Sequence, residues 1–355
     1  MNRKVLLGLI IVVGIALLAV PLYLNRNKGG IENAVFVEKG DIQTIYKKDL
    51  VFNYTFPEGI EHVEVIYDGK LVQTSTAKGM VKIDCSNKGV GSFELILRTY
   101  FPDQTVLEDR KIIRIVSDVT PEMKKIQLTG NNTPHDVTSY TQGLEFSDGI
   151  LYEGTGDEGR KGNTKIGQID INTGKFIINN GLDASHFGEG ITILGDKLYQ
   201  LTWQSGKCFV YDKKTIQLLK EEFTYEGEGW GLCNNGKELI MSNGTEYITF
   251  RDPKSFTVNR TIQVYDNVGP RPMLNELEYA NGLIYANVWQ TNTILVIDPH
   301  SGKVLQEVDA HLMTDLAKGT VGDVLNGIAY NPKTKTFFIT GKYFNKLSEV
   351  TFVGL

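Results

Sequence analysis

From about residue 125 the chain repeats itself, and this periodicity restricts the fold more than any other feature. Five segments share one form: a polar residue, a second position that is usually glycine, a strand of alternating apolar residues, a turn and a second strand. They are "QGLEFSDGILYEGTG" from Gln142, "EGITILGDKLYQLTW" from Glu189, "WGLCNNGKELIMSNG" from Trp230, "NELEYANGLIYANVW" from Asn275 and "NGIAYNPKTKTFFITGK" from Asn326. They begin 47, 41, 45 and 51 residues apart. After four of them comes a third strand ending in Asp and a turn, as in "ILVIDPHSGK", and then a fourth strand. Four strands in each period of roughly 40–50 residues is the spacing of a β-propeller blade, so the repeat predicts an all-β, five-bladed propeller. The last segment runs out of chain after "KLSEVTF". "MKKIQLT", residues 123–129, is expected to supply its missing fourth strand and close the ring, which removes exposed sheet edges.

In a propeller the first strand of each blade lines the central channel, so equivalent repeat positions face one another around an axis. The second position holds Gly143, Gly190, Gly231, Glu276 and Gly327. Four glycines imply crowding there, and Glu276 reads as an exception with a structural role or a supporting contact to a site residue. The third position, Leu144, Ile191, Leu232, Leu277 and Ile328, is a core position between blades. The first position holds Gln142, Glu189, Trp230, Asn275 and Asn326, on the opposite side of the strand from the glycine position. Only Glu189 among these five is ionisable. A second column, at the end of the second strand, holds Gly156, Trp203, Gly244, Trp289 and Lys342. Tyr140 and Phe187 each stand two residues before a first-column residue and so share its face. All three tryptophans of the chain fall in the two columns. One mouth of the channel is therefore expected to carry aromatic walls, one carboxylate and one cation.

The Asp column (Asp170, Asp212, Asp252, Asp298) precedes turns and reads as turn-forming. The five histidines show no metal-ligand spacing, and His186, three residues from Glu189, is a candidate for a supporting contact to it. Cys85, Cys208 and Cys233 contain no C-x-x-C pair and read as buried thiols, a Cys208–Cys233 bridge being the alternative. The net charge of −5, with no basic block beyond the N-terminus, argues against nucleic acid as a partner.

Ahead of the propeller (121–355), residues 31–120 read as short alternating strands with an Asp68-Gly69 hairpin signal. They predict a small immunoglobulin-like β-sandwich acting as spacer or partner-binding module. Residues 1–30 contain the apolar run 5–24, long enough to cross a bilayer as a transmembrane helix. An uncleaved signal anchor is favoured over a cleaved signal peptide, and both place the remainder outside the cytoplasm, on the periplasmic face in a Gram-negative cell.

The motifs "SYTQGLEF", "HFGEGIT", "GEGWGL", "LNELEYANGLIYANVW" and "FFITGKYF" occur in one order over roughly residues 130–353. In them the chain resembles the plant and bacterial, papaya-like type of glutaminyl-peptide cyclotransferase. The resemblance implies a five-bladed propeller that converts N-terminal glutamine of peptides and proteins to pyroglutamate, releasing ammonia, without a catalytic metal. Carried across by motif, the active-site residues fall on Tyr140, Gln142, Phe187, Glu189, Trp203, Trp230, Asn275, Trp289 and Lys342. Tyr140 stands where the family's pattern has phenylalanine, which keeps an aromatic wall. The resemblance also implies a structural calcium ion in the channel, its ligands unassigned. On this reading Glu189 is the general acid/base, and Lys342, Asn275 and Gln142 are the candidates to stabilise the oxyanion. Burial should raise the pKa of Glu189 and Lys342 should lower it. The alternatives are a non-catalytic envelope propeller that binds peptides and a metal-dependent propeller hydrolase, against which stands that ligating acids do not cluster in the first column.

Overall fold

The computed structural model describes residues 32–157, 159, 163–317 and 324–355 of the 355-residue chain. The apolar run at 5–24 lies outside them; among the described residues no helix is long and apolar enough to cross a membrane. Apart from one short helix, His311–Leu316, the described regular structure is β.

The upstream part forms two sheets. One pairs Val35–Phe36, Leu50–Thr55 and Gly79–Ile83; the other has five strands in the order Ile42–Ile45, Val106–Val116, Gly91–Tyr100, His62–Tyr67, Lys70–Ser75. Leu50–Thr55 alternates strictly between buried and exposed positions, as a strand with one wet face must. Its Phe52 and Tyr54 share one core with Val63, Val65, Leu95, Leu97, Ile113 and Ile115 of the other sheet. Asp68 and Gly69 both have positive φ (49° and 72°) and close the hairpin between His62–Tyr67 and Lys70–Ser75, the conformation that tight hairpin turns require.

Beyond it stand five units built as the repeat predicts. Three are separate four-stranded antiparallel sheets, whose first strands are Tyr140–Ser147, Gly188–Leu194 and Leu232–Asn234. The fourth and fifth, starting at Leu274–Ala280 and Val324–Asn331, are fused into one eight-stranded sheet. The strand Glu122–Pro134 fuses them. It pairs antiparallel with Lys346–Gly354, completing the fifth unit, and its first residues also pair in parallel with Val304–Asp309 of the fourth. It thus does what was expected of residues 123–129 and extends further on both sides.

The first strand of each unit contacts that of the next, and the fifth contacts the first, so the units close into a ring. The third repeat position makes the joints. Ile191 packs with Tyr152 and Ile166 of the unit before it, Leu232 with Leu201 and Val210, and Leu277 with Ile240 and Phe250. Ile328 packs with Ile294 and Val296, and Leu144 closes the circle against Ala329 and Phe338. All five are at most 1% exposed. Each buries apolar surface at about 25 cal/mol per Å². Glycine at the second position is steric: a methyl on Gly143 would lie 2.5 Å from the Ile191 amide nitrogen, and one on Gly231 would overlap the Asn275 carbonyl.

The upstream part docks on this ring rather than hanging from it. Gln263 exchanges two hydrogen bonds with the Ser92 backbone, at 2.9 and 3.1 Å, and the Tyr265 hydroxyl meets Ser92 Oγ at 2.7 Å. The Ser117 amide donates to the Asp266 carbonyl at 3.0 Å, while Val90, Val116 and Tyr265 form a small core across the junction.

Candidate active site

The two columns meet at one mouth of the ring. A cavity of about 140 Å³ is lined by Tyr140, Gln142, Phe187, Glu189, Trp203, Trp230, Asn275, Trp289 and Lys342. These are the nine residues singled out from the sequence. Of the first column, Asn326 does not line the cavity; it lies beneath, its Nδ2 donating to Gln142 Oε1 at 3.1 Å and to the Thr141 carbonyl at 3.0 Å. That aims the Gln142 Nε2 group at Glu189 Oε1, 3.1 Å away. The two glycines of the second column leave gaps that aromatic rings occupy. Gly156 gives room to Phe187 and Gly244 to Trp230, where a side chain would collide with either ring.

The walls form two aromatic runs. Tyr140 meets Phe187 edge-on at 6.0 Å, Phe187 meets Trp203 at 5.7 Å, and Trp230 meets Trp289 at 5.4 Å. These are favourable separations for offset or edge-to-face aromatic pairs. The Lys342 ammonium stands 4.7 Å from the Tyr140 ring centroid, within cation–π range.

Glu228 was missed in the sequence, although it stands two residues before Trp230 as Tyr140 and Phe187 stand before Gln142 and Glu189. The same alternation rule would have found it. Its Oε2 accepts both the Trp203 indole N–H (2.8 Å) and the Trp230 indole N–H (2.9 Å). One carboxylate therefore fixes two walls contributed by different units. His186 does not support Glu189: its Nδ1 pairs with Ser205 Oγ at 2.9 Å and its ring packs on Phe209.

Burial pushes the Glu189 carboxyl well above the usual carboxylate range; Lys342 pulls it down, Glu228 pushes it up, and burial prevails. The opposing effects expected from burial and from Lys342 thus resolve upward. Asn275 is 3% exposed, and its side-chain oxygen is a buried acceptor without a hydrogen-bond partner. Such a group carries a desolvation cost that a donor entering the cavity would relieve.

Deeper in the channel, the Glu276 carboxylate accepts the amides of Leu144 (3.2 Å) and Ile328 (2.9 Å), so the residue that breaks the glycine column ties three units together. Burial raises the pKa values of Glu276 and Glu278 there, Glu145 pushes both further up, and Glu276 adds to the shift of Glu278. Glu276 is engaged by backbone donors and Glu145 by the Thr192 hydroxyl. Among the described residues, no group of three His, Cys, Asp or Glu side chains is arranged to hold a metal ion. The calcium ion that the resemblance implies is therefore not assigned to these side chains. The four Asp residues of the third strands each accept the amide two residues on, at 2.9–3.1 Å, as expected of turn formers. All three cysteines are buried free thiols, which excludes a Cys208–Cys233 bridge in this structure.

Residues 109–352 match the family model described as "Glutamine cyclotransferase". The chain belongs to that family. The glutaminyl-peptide cyclotransferase of Arabidopsis thaliana is 34% identical over 240 residues, covering 66% of this chain and 73% of that protein. The crystal structure of Myxococcus xanthus glutaminyl cyclase matches with a TM-score of 0.62 at 34% identity, over 66% of this chain and 99% of that one. The chain is thus an enzyme homologue with the β-propeller fold of the glutaminyl cyclases. The family match begins within the strand Val106–Val116 of the upstream part.

Proposed function

We propose that the chain cyclises N-terminal glutamine of peptides and proteins to pyroglutamate at this cavity, with Glu189 as the group that moves the proton. The reading is carried by one observation: a buried carboxyl, oriented by Gln142, stands in an aromatic cavity beside a lysine and an unpartnered acceptor. The reaction is intramolecular. The α-amine attacks the side-chain amide carbon, a C–N bond forms, and after collapse of the tetrahedral intermediate the former amide nitrogen leaves as ammonia. One proton passes from the attacking nitrogen to the departing one. Glu189 takes it and gives it back, and a raised pKa keeps the two transfers comparable in energy.

The tryptophan and phenylalanine walls hold the folded-back conformer, which is the larger part of the task in an intramolecular reaction. Asn275 Oδ1 is placed to accept from the substrate's amine. Lys342 is the cation available to the oxyanion. Gln142, expected among the oxyanion donors, acts instead as the positioning residue of Glu189, because its amide group is engaged between Asn326 and Glu189.

We further place this site in a five-bladed propeller of residues 121–355, with residues 31–120 an accessory sandwich, and residues 1–30 a membrane anchor that holds the enzyme outside the cytoplasm. Fractionation with external protease tests the last point, since a cytoplasmic, protected chain would refute it. For the activity, the chain is incubated with a glutaminyl dipeptide amide and ammonia is measured with and without a chelator. Release unaffected by the chelator supports the reading. No release by folded protein, or loss with the chelator and recovery with zinc, contradicts it.

A further inference from the structure

Beside the cavity lies a larger cleft, of about 670 Å³, lined by Ser139, Thr155, Asp157, Lys165 and Tyr343 and sharing Tyr140 with it. The cavity's 140 Å³ is well below the roughly 300–1,000 Å³ of sites that enclose small-molecule ligands. It has room for one glutaminyl residue, so whatever follows that residue in a peptide must lie outside. The cleft is within the ordinary range of binding sites, and among the described residues lining it none is aliphatic. The hydroxyls, the Asn163 amide, the Asp157 carboxylate and the Lys165 ammonium among them suit a hydrated polypeptide backbone better than an apolar anchor.

The wall between the two spaces is built at a cost. Lys342 lines the cavity and the next residue, Tyr343, lines the cleft. Tyr343 has φ 61°, in the left-handed region that a bulky residue rarely adopts. Its amide is tied to the Ser139 carbonyl at 2.8 Å, and its ring meets Tyr140 edge-on at 5.1 Å. Such backbone strain persists where surrounding structure enforces it, and it concentrates at binding sites. Here it sends consecutive side chains into adjoining spaces on either side of Tyr140.

We propose that this cleft binds the residues that follow the N-terminal glutamine, making the enzyme prefer longer peptides to dipeptides. The inference rests on the cyclisation reading. Binding energy from parts of a substrate remote from the reacting bonds raises kcat/KM. The test compares Gln-Ala amide with the pentapeptide amide Gln-Ala-Ala-Ala-Ala. The expected kcat/KM ratio is about tenfold in favour of the pentapeptide, equivalent to about 1.4 kcal/mol. Thr138, exposed on the rim of the cleft, provides the variants. Thr138→Trp fills the space and should bring the ratio towards unity. Thr138→Ala loses the same hydroxyl bond to Asp136 and should keep the preference. Equal kcat/KM values in the unsubstituted enzyme, or a preference that survives Thr138→Trp, would overturn the proposal. Calorimetric titration with the two pyroglutamyl products reads the cleft without turnover: tighter binding of the longer one supports it, and equal affinities refute it. If neither peptide is turned over, the cyclisation reading fails, and the titration still decides about the cleft.

Discussion

Gln142 donates its side-chain amide to Glu189 at 3.1 Å, across the joint between the first and second units, and is itself gripped by Asn326 of the fifth. Three units of the ring thereby set the orientation of one carboxyl. Removing the amide while keeping the volume, in Gln142→Met, should lower kcat by roughly tenfold or more with little change in KM, because a misaligned acid/base loses part of a contribution of about 10²–10⁴. A pure KM effect in steady-state kinetics would assign Gln142 to substrate binding instead.

Glu228 offers a separable test. Its negative charge helps to keep the Glu189 pKa high. In Glu228→Gln the Glu189 carboxylate is easier to form, so the acid limb of the kcat/KM profile should move to lower pH. Activity should also fall, since the Trp203 and Trp230 indoles lose a charged acceptor. A limb that stays in place would mean that Glu228 only holds the rings.

Lys342→Met should move the same limb the other way. The lysine lowers the Glu189 pKa, so its loss raises it further. If Lys342 also meets the oxyanion, kcat should drop by about 10²–10³, the usual cost of one such donor. The substrate's own amine adds the same ionisation to every profile, so the opposite shifts of the two variants isolate Glu189.

Much of this site was legible before any coordinates. The repeat defines a ring, strand alternation defines faces, and equal repeat positions then define a mouth. That reasoning found Trp203, Trp289 and Lys342, which lie far apart in sequence. It passed over Glu228 because its place two residues before Trp230 holds aromatic residues in the first two units, and an acid there reads as surface. It left Glu276 as an exception because alternation reveals which way a side chain faces but not which distant amides it will meet. The docking of Gln263 and Tyr265 on Ser92 was illegible for the same reason: neither segment carries a pattern that names its partner.

A buried pair outside the cavity makes stability depend on pH. His135 Nε2 lies 3.0 Å from Glu153 Oε1 and its Nδ1 lies 2.9 Å from the Phe344 carbonyl, so both ring nitrogens face acceptors. Burial acts to lower the His135 pKa, but the Glu153 carboxylate more than offsets it and the net shift is upward. A raised folded-state pKa gives stability that is fully present below the unfolded histidine value, about 6.5, and lost as pH rises through the folded one. Chemical denaturation should therefore show stability falling on the alkaline side. Glu153→Gln should remove that dependence and cost about 3–5 kcal/mol at acidic to neutral pH, as expected when one partner of a buried pair is deleted. An unchanged pH dependence in the variant would show that another group titrates.

The most direct test of the whole account is single-residue and chemical: ammonia release from a glutaminyl peptide by Glu189→Gln, with its thermal midpoint measured beside the unsubstituted protein. The account predicts a folded protein whose kcat falls by about 10²–10⁴. A folded Glu189→Gln protein that still releases ammonia at the original rate would contradict it.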